Sequence, residues 1–162
     1  MAKFLLGVAI VAFMSFLGYL LAKKYRKRRD FFVQFTLFNE RFLSEISYYR
    51  RPLSEFFRKY AYKGEFLTLL QNFFAGIKNE RQALWTELSD FDFLTSEQKA
   101  MTEDYFLMLG RGDSSSQKAY FSAQKETLIA IEKQAKNDSK RYGDLFVKIG
   151  FLCGLLILIL II

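Results

Sequence analysis

LFVKIGFLCGLLILILII, residues 145–162, decides the architecture of this chain. Lys148 is its only charge, and it lacks the polar face that a water-soluble core helix keeps. Its eighteen residues, at about 1.5 Å each, make a helix about 27 Å long, against a hydrocarbon core of about 30 Å. Such a helix spans if Lys148, one turn inside its start, extends its ammonium to headgroup level while the stem stays in lipid.

The other end of the chain supplies a match. Phe4 to Ala22, FLLGVAIVAFMSFLGYLLA, is uncharged and is followed at once by KKYRKRR. A cleaved signal peptide carries its positive charge ahead of the apolar run and a small-residue cleavage site behind it. Here Lys3 alone precedes, while Lys23, Lys24, Arg26, Lys27, Arg28 and Arg29 follow, the pattern of an uncleaved span. The expected organisation is a transmembrane helix over 1–22, a basic membrane edge over 23–29, a helical bundle over 30–144 and a second transmembrane helix over 145–162. Basic residues beside a span stay on the cytoplasmic side, and Lys140, Arg141 and Lys148 precede the second span. Residues from about 23 to 144 are therefore expected in the cytoplasm, with Met1 and Ile162 outside.

The charge balance excludes function classes. Of 24 basic and 17 acidic residues, six basic ones lie between Lys23 and Arg29, which leaves 18 against 17 elsewhere. The excess is a membrane-edge signal that fixes topology and attracts anionic headgroups. Nucleic-acid binding would want basic residues spread over a face of the folded domain. There is no histidine, which removes the commonest general base and metal ligand, and the single cysteine, Cys153, lies in the second apolar run. The carboxylates are scattered at solvated-face spacing, so the chain is expected to be no enzyme, with no cofactor, metal or small-molecule substrate.

About 120 interior residues suffice for one small core. They show helical rather than alternating periodicity. Phe32, Phe35, Phe38, Phe42, Leu43 and Ile46 continue a helix from the basic edge to about Arg51, where Pro52 disfavours helix. A short helix carries Leu53, Phe56, Phe57 and Tyr60, with Gly64 as its stop. Another begins near Glu65 with Phe66, Leu69, Leu70, Phe73 and Phe74; beyond Gly76, Ile77, Leu84, Trp85 and Leu88 belong to it or to a separate helix. Thr95 and Gln98 form a capping-box pattern ahead of Met101, Tyr105, Phe106, Met108 and Leu109, which stop at Gly110. Asp113 or Ser114 caps the last helix, which carries Tyr120, Phe121, Leu128, Ile131 and Ala135 toward the second span. The fold class is all-α: two transmembrane helices bracketing one antiparallel bundle of five or six helices.

Few motifs suggest chemistry. The glycines flanking Arg111 follow no strand and lack phosphate-loop spacing, so they read as a helix stop and start. RGD at 111–113 lies on the expected cytoplasmic side and reads as chance. Glu87, Asp90 and Asp92 read as a polar loop rather than a cation site. Gly150 and Gly154 have the GxxxG spacing of closely packed membrane helices, and Gly18 and Ala22 make a small-xxx-small pair in the first span. These faces pack on one another or on a partner subunit.

Three pieces together resemble the stage III sporulation protein AB family of endospore-forming bacteria, over essentially the whole length. EISYYRRPLSEFF at Glu45 to Phe57 is similar to the family's E-I-x-Y followed by P-L-x-E, LGRGDSSSQ at Leu109 to Gln117 to L-G-x-x-D-x-x-x-Q, and GFLCGLLILILII closes the chain. The resemblance implies a non-enzymatic platform or assembly subunit of the secretion-like complex that links mother cell and forespore; the alternative reading of the same residues is an unrelated two-span membrane adaptor or scaffold. Its soluble part would be similar to a cytoplasmic domain of the platform protein (F) of type II secretion and type IV pilus systems. The implied partners are the complex's secretion-type ATPase, stage III sporulation protein AA, and its other membrane subunits. The matching residues are Glu45, Tyr48, Pro52, Leu53 and Glu55, then Gly110, Asp113 and Gln117. Pro52, Leu53 and Gly110 suit structural roles; Glu45, Tyr48, Glu55, Asp113 and Gln117 are the candidate partner contacts, the two glutamates foremost because charges are rarely needed inside.

Overall fold

The computed structural model describes residues 2–48, 53–75, 86–109 and 114–161. Pro52, Gly76, Trp85, Gly110, Arg111 and Asp113, which the sequence singles out, lie outside them. Among the described residues five helices form: α1 (Ala2–Tyr48), α2 (Leu53–Lys59), α3 (Gly64–Ala75), α4 (Ser96–Met108) and α5 (Ser114–Ile161), with a further helical turn at 86–89. Among the described residues there is no strand. The chain divides into two compact units: residues 30–133, and the chain ends 1–29 with 134–162.

The unit over 30–133 is built on one aromatic stripe. Phe31, Phe35, Phe38 and Phe42 recur at helical spacing on α1, and with Phe32 all are buried. Phe38 sits at the middle, its ring centroid 5.6 Å from Phe56 of α2, 5.7 Å from Phe66 of α3 and 6.3 Å from Phe106 of α4. Phe35 meets Tyr105 edge to face at 4.7 Å, and Phe42 meets Phe121 of α5 the same way at 5.0 Å. Such geometries set the positive ring edge against the negative face and add about 0.5–1.5 kcal/mol per pair beyond the area buried. Within this apolar packing the Tyr105 hydroxyl donates to Asn39 Oδ1 at 2.8 Å, and Asn39 Nδ2 donates to the Phe121 carbonyl at 3.2 Å. The two bonds satisfy buried polar atoms that would otherwise be stranded, and they tie α1, α4 and α5 together.

Local signals explain most of the helix ends. The Thr95 side chain accepts from Gln98 N, and the Gln98 side chain accepts from Thr95 N, a complete capping box for α4. The helix ends at Met108, with Leu109 as its C-cap. Two expectations shift. Tyr60 is outside α2, which ends at Lys59, and Gly64 is no stop: with φ +64° it is the first residue of α3. The reason is Arg41, whose guanidinium lies 4.7 Å from the Tyr60 ring and 5.4 Å from the Tyr62 ring and reaches the Ala61 carbonyl. These contacts hold residues 60–62 out of helical geometry, and only glycine takes the left-handed turn back without strain.

In the other unit, the first part of α1 packs on the last part of α5 through missing side chains. A Cβ on Gly150 would lie 2.6 Å from the Met14 carbonyl oxygen, and one on Gly154 would lie 2.8 Å from Val11 Cα. A Cβ on Gly18 would strike the Phe146 carbonyl and sit 3.4 Å from Gly150 Cα. Ala22 is wholly buried one turn further on. Beyond the glycines Tyr25 meets Tyr142 at 5.4 Å and Phe146 at 5.8 Å, and Arg28 Nη1 donates to Asp138 Oδ2 at 3.2 Å.

Both helices are long and apolar enough to cross a membrane. Their most apolar windows are only 17% and 11% buried, so they are not the core helices of a water-soluble domain.

Candidate membrane edge and partner surface

The first motif and its surroundings form a charged, aromatic corner in the 30–133 unit. Glu45, expected at a partner surface, is 3% exposed, and its Oε2 accepts from Lys59 Nζ at 3.2 Å. A buried carboxylate that close to an ammonium holds α1 to α2, so Glu45 takes a structural place instead. The hydrogen bonds that the Lys59 ammonium donates to Tyr60 and Glu45 raise its pKa, keeping it charged. The Lys59 ammonium also lies 4.9 Å from the Tyr60 ring centroid, next to Arg41 over the same ring.

Beside this corner is a groove of about 510 Å³ lined by Phe57, Arg58, Tyr60, Tyr62, Leu67, Leu70, Gln71 and Phe74. It is apolar, with Arg58 at its margin. Burial pushes the Tyr62 phenol up to about 12, against the lowering pull of Arg41. Glu55 is exposed on α2, in the same turn region as Arg58. Gln117 is half-buried in the first turns of α5. Leu53 opens α2, and Tyr48 ends α1 with its side chain outside the described residues. Of the candidate contacts, the structure thus brings Glu55 to the surface and Glu45 into the interior.

Sequence reasoning missed Arg41, Lys59 and Tyr62 because their meeting depends on how the chain returns after α2. A basic residue one helical turn from Glu45 with two tyrosines downstream is the signal that was present. Glu87 and Asp90 serve local structure: Glu87 accepts from the Asn72 side chain, and the Asp90 N–H bonds the Glu87 carbonyl. Among the described residues no group of three or more His, Cys, Asp or Glu side chains is placed to hold a metal ion.

The basic residues that the sequence assigns to a membrane edge lie in the other unit. Lys23 and Lys24 are exposed, Arg26, Lys27, Arg28 and Arg29 half-buried, and Lys148 exposed. Arg26 lies 5.6 Å over Tyr19 and Arg141 5.5 Å over Tyr142. Cations interleaved with tyrosines beside apolar helices are the composition of a bilayer interface, where amphipathic rings and snorkelling cations both find their medium.

An aromatic helical bundle with two membrane-length helices edged by cations defines an all-helical protein of a kind consistent with a membrane location. A family model for stage III sporulation protein AB (spore_III_AB) matches residues 3–162, so the chain belongs to that family and is a sporulation protein. Comparison with curated proteins and with solved structures finds no match in either.

Proposed function

We propose that this chain is a non-enzymatic platform subunit of the sporulation secretion-like complex that links mother cell and forespore. In this reading α1 and α5 cross the mother-cell membrane, and the 30–133 unit lies in the cytoplasm, where it engages the complex's secretion-type ATPase, stage III sporulation protein AA. Membership of the family over residues 3–162 is the observation that carries it. The bundle's likeness to the platform domain of type II secretion systems belongs to the same proposal. Topology is supported by the cation asymmetry, with Lys23 to Arg29 after the first apolar run and Lys140, Arg141 and Lys148 at the start of the second. A platform transmits contact rather than chemistry. The groups with raised pKa values, Lys59, Tyr62, Tyr105 and Tyr120, all hold their protons at neutral pH, which suits a packing role.

The contact surface proposed is the exposed side of α2, which carries Glu55 and, lining the apolar groove, Arg58. The test is capture of the purified ATPase of the same genome by the immobilised full chain in mild detergent. Binding is expected, weakened at least tenfold by Glu55→Lys or Arg58→Glu, a loss of about 1.4 kcal/mol, and unaffected by Lys118→Glu on α5. If the ATPase fails to bind the folded chain even with the complex's other membrane subunits present, the platform reading fails.

A further inference from the structure

We infer that the face of α5 carrying Lys140, Arg141 and Lys148 binds the phosphate headgroup of an anionic phospholipid. This rests on α1 and α5 being membrane spans.

A groove of about 470 Å³ runs along one face of α5, lined by Asn137, Lys140, Arg141, Asp144, Leu145 and Lys148. Those positions follow the three-and-four spacing of a single helix face, so their side chains are neighbours. Lys148 lies seven residues beyond Arg141, about 10 Å along the axis. Cα–Cβ bonds in a helix tilt toward its N-terminus, so the Lys148 stem starts back toward Arg141, and all three cations line the one groove. Asp144 is the one carboxylate among the six lining residues and offsets one of three positive charges.

What lies further along the same face selects the ligand. Leu145, Ile149, Leu152 and Leu156 continue the spacing and are 43%, 44%, 61% and 60% exposed. A cationic groove opening onto an uncovered apolar stripe has the polarity of a phospholipid, phosphate at one end and acyl chain at the other. A free anion would have no use for the stripe, and an acidic protein segment would have to lie against lipid-facing leucines. The register of the helix pair adds to the field: with Gly18 beside Gly150 and Tyr25 beside Tyr142, Lys23 and Lys24 stand level with the groove.

The test uses the full chain in nanodiscs of phosphatidylcholine with a minority of phosphatidylglycerol, with the lipids that survive gentle extraction identified by native mass spectrometry. Phosphatidylglycerol is expected to be retained in preference. Lys140→Gln/Arg141→Gln/Lys148→Gln should weaken that retention on the order of a hundredfold, and Asp144→Asn should strengthen it about fivefold. Lys118→Gln/Lys125→Gln/Lys133→Gln, the same charge change in the other unit, should leave it unchanged. Equal retention by the first triple variant, equal loss in the second, or displacement of the lipid by free glycerol phosphate as tightly as by lipid would each overturn the site. A chain that stays out of the nanodisc sinks the membrane reading and the site together, whereas normal insertion without lipid preference sinks the site alone.

Discussion

Around Phe38 helices are held together by what their side chains fill, whereas around Gly150 they are held together by what is missing. The 30–133 unit interlocks rings from α1 through α5 at centroid separations of about 5–6 Å, as for Phe38 with Phe56 and Phe66. The unit of the chain ends instead brings backbone to backbone, with Gly18 and Gly150 in direct contact. The difference is the one expected if the 30–133 unit folds in water and the helix pair of the chain ends lies in lipid, the setting proposed for them. In water, burying a phenyl ring removes apolar surface at about 25 cal/mol per Å², so large side chains gain most. In lipid that gain vanishes, and close van der Waals approach of small residues remains the means of association.

The contrast can be broken most severely at Phe38. Phe38→Ala removes a fully buried ring and should destabilise the 30–133 unit by about 3–5 kcal/mol. Amide hydrogen exchange of the full chain in detergent should show lost protection there and unchanged protection around Gly150; equal loss in both would mean that the two units do not hold by separate means. Gly150→Leu reverses the experiment. Overpacking against the Met14 carbonyl should cost about 1–3 kcal/mol in the span pair, read as a longer distance between spin labels at positions 13 and 152. Gly143→Ala is its control: an added Cβ there meets nothing within 4 Å, so the distance should hold and the helix should gain about 0.5–1 kcal/mol.

A smaller effect sharpens the account of the ring-filled unit. Burial, then the nearby Tyr120 and Tyr62, hold the Tyr105 phenol well above its ordinary value of 10.0, and burial raises Tyr62 to about 12. The unfolded chain loses these protons as pH passes 10.0 while the folded chain keeps them, so this stability is complete below that pH and drains away as pH rises through about 12. Tyr105→Phe should cost about 0.5–1.5 kcal/mol at neutral pH and make the alkaline loss shallower. Urea titrations at pH 8 and pH 11 check both; an unchanged slope against pH would remove Tyr105 from the account. Smallest is the partly exposed Arg28 and Asp138 pair, where a double-mutant cycle should give about 0–1 kcal/mol, declining with salt.

What was legible in the sequence was local. Thr95 and Gln98 announce their cap because both partners lie within one turn, and the phenylalanines of α1 announce a buried face because its period is intrinsic to the helix. Gly150 and Gly154 announce a close approach for the same reason. Glu45 was misplaced because its partner, Lys59, is brought up by a chain reversal, and charge alone favoured the surface. Tyr60 was assigned to α2 on periodicity, which cannot register that Arg41, nineteen residues earlier, draws it away. The Arg28 and Asp138 pairing is 110 positions apart and has no local signature.

Asn39 acts as a key in an otherwise nearly symmetrical lock. With phenylalanines at every turn of α1 from Phe31 to Phe42, sliding that stretch by one turn would put ring where ring had been, at little loss of buried area. The bond that Asn39 accepts from Tyr105 and the one it donates to the Phe121 carbonyl exist in one alignment alone. The rings therefore supply the adhesion without choosing the position, and a single amide chooses it. An Asn39→Leu chain should remain folded yet show doubled amide signals in α1, two alignments coexisting where one had been allowed.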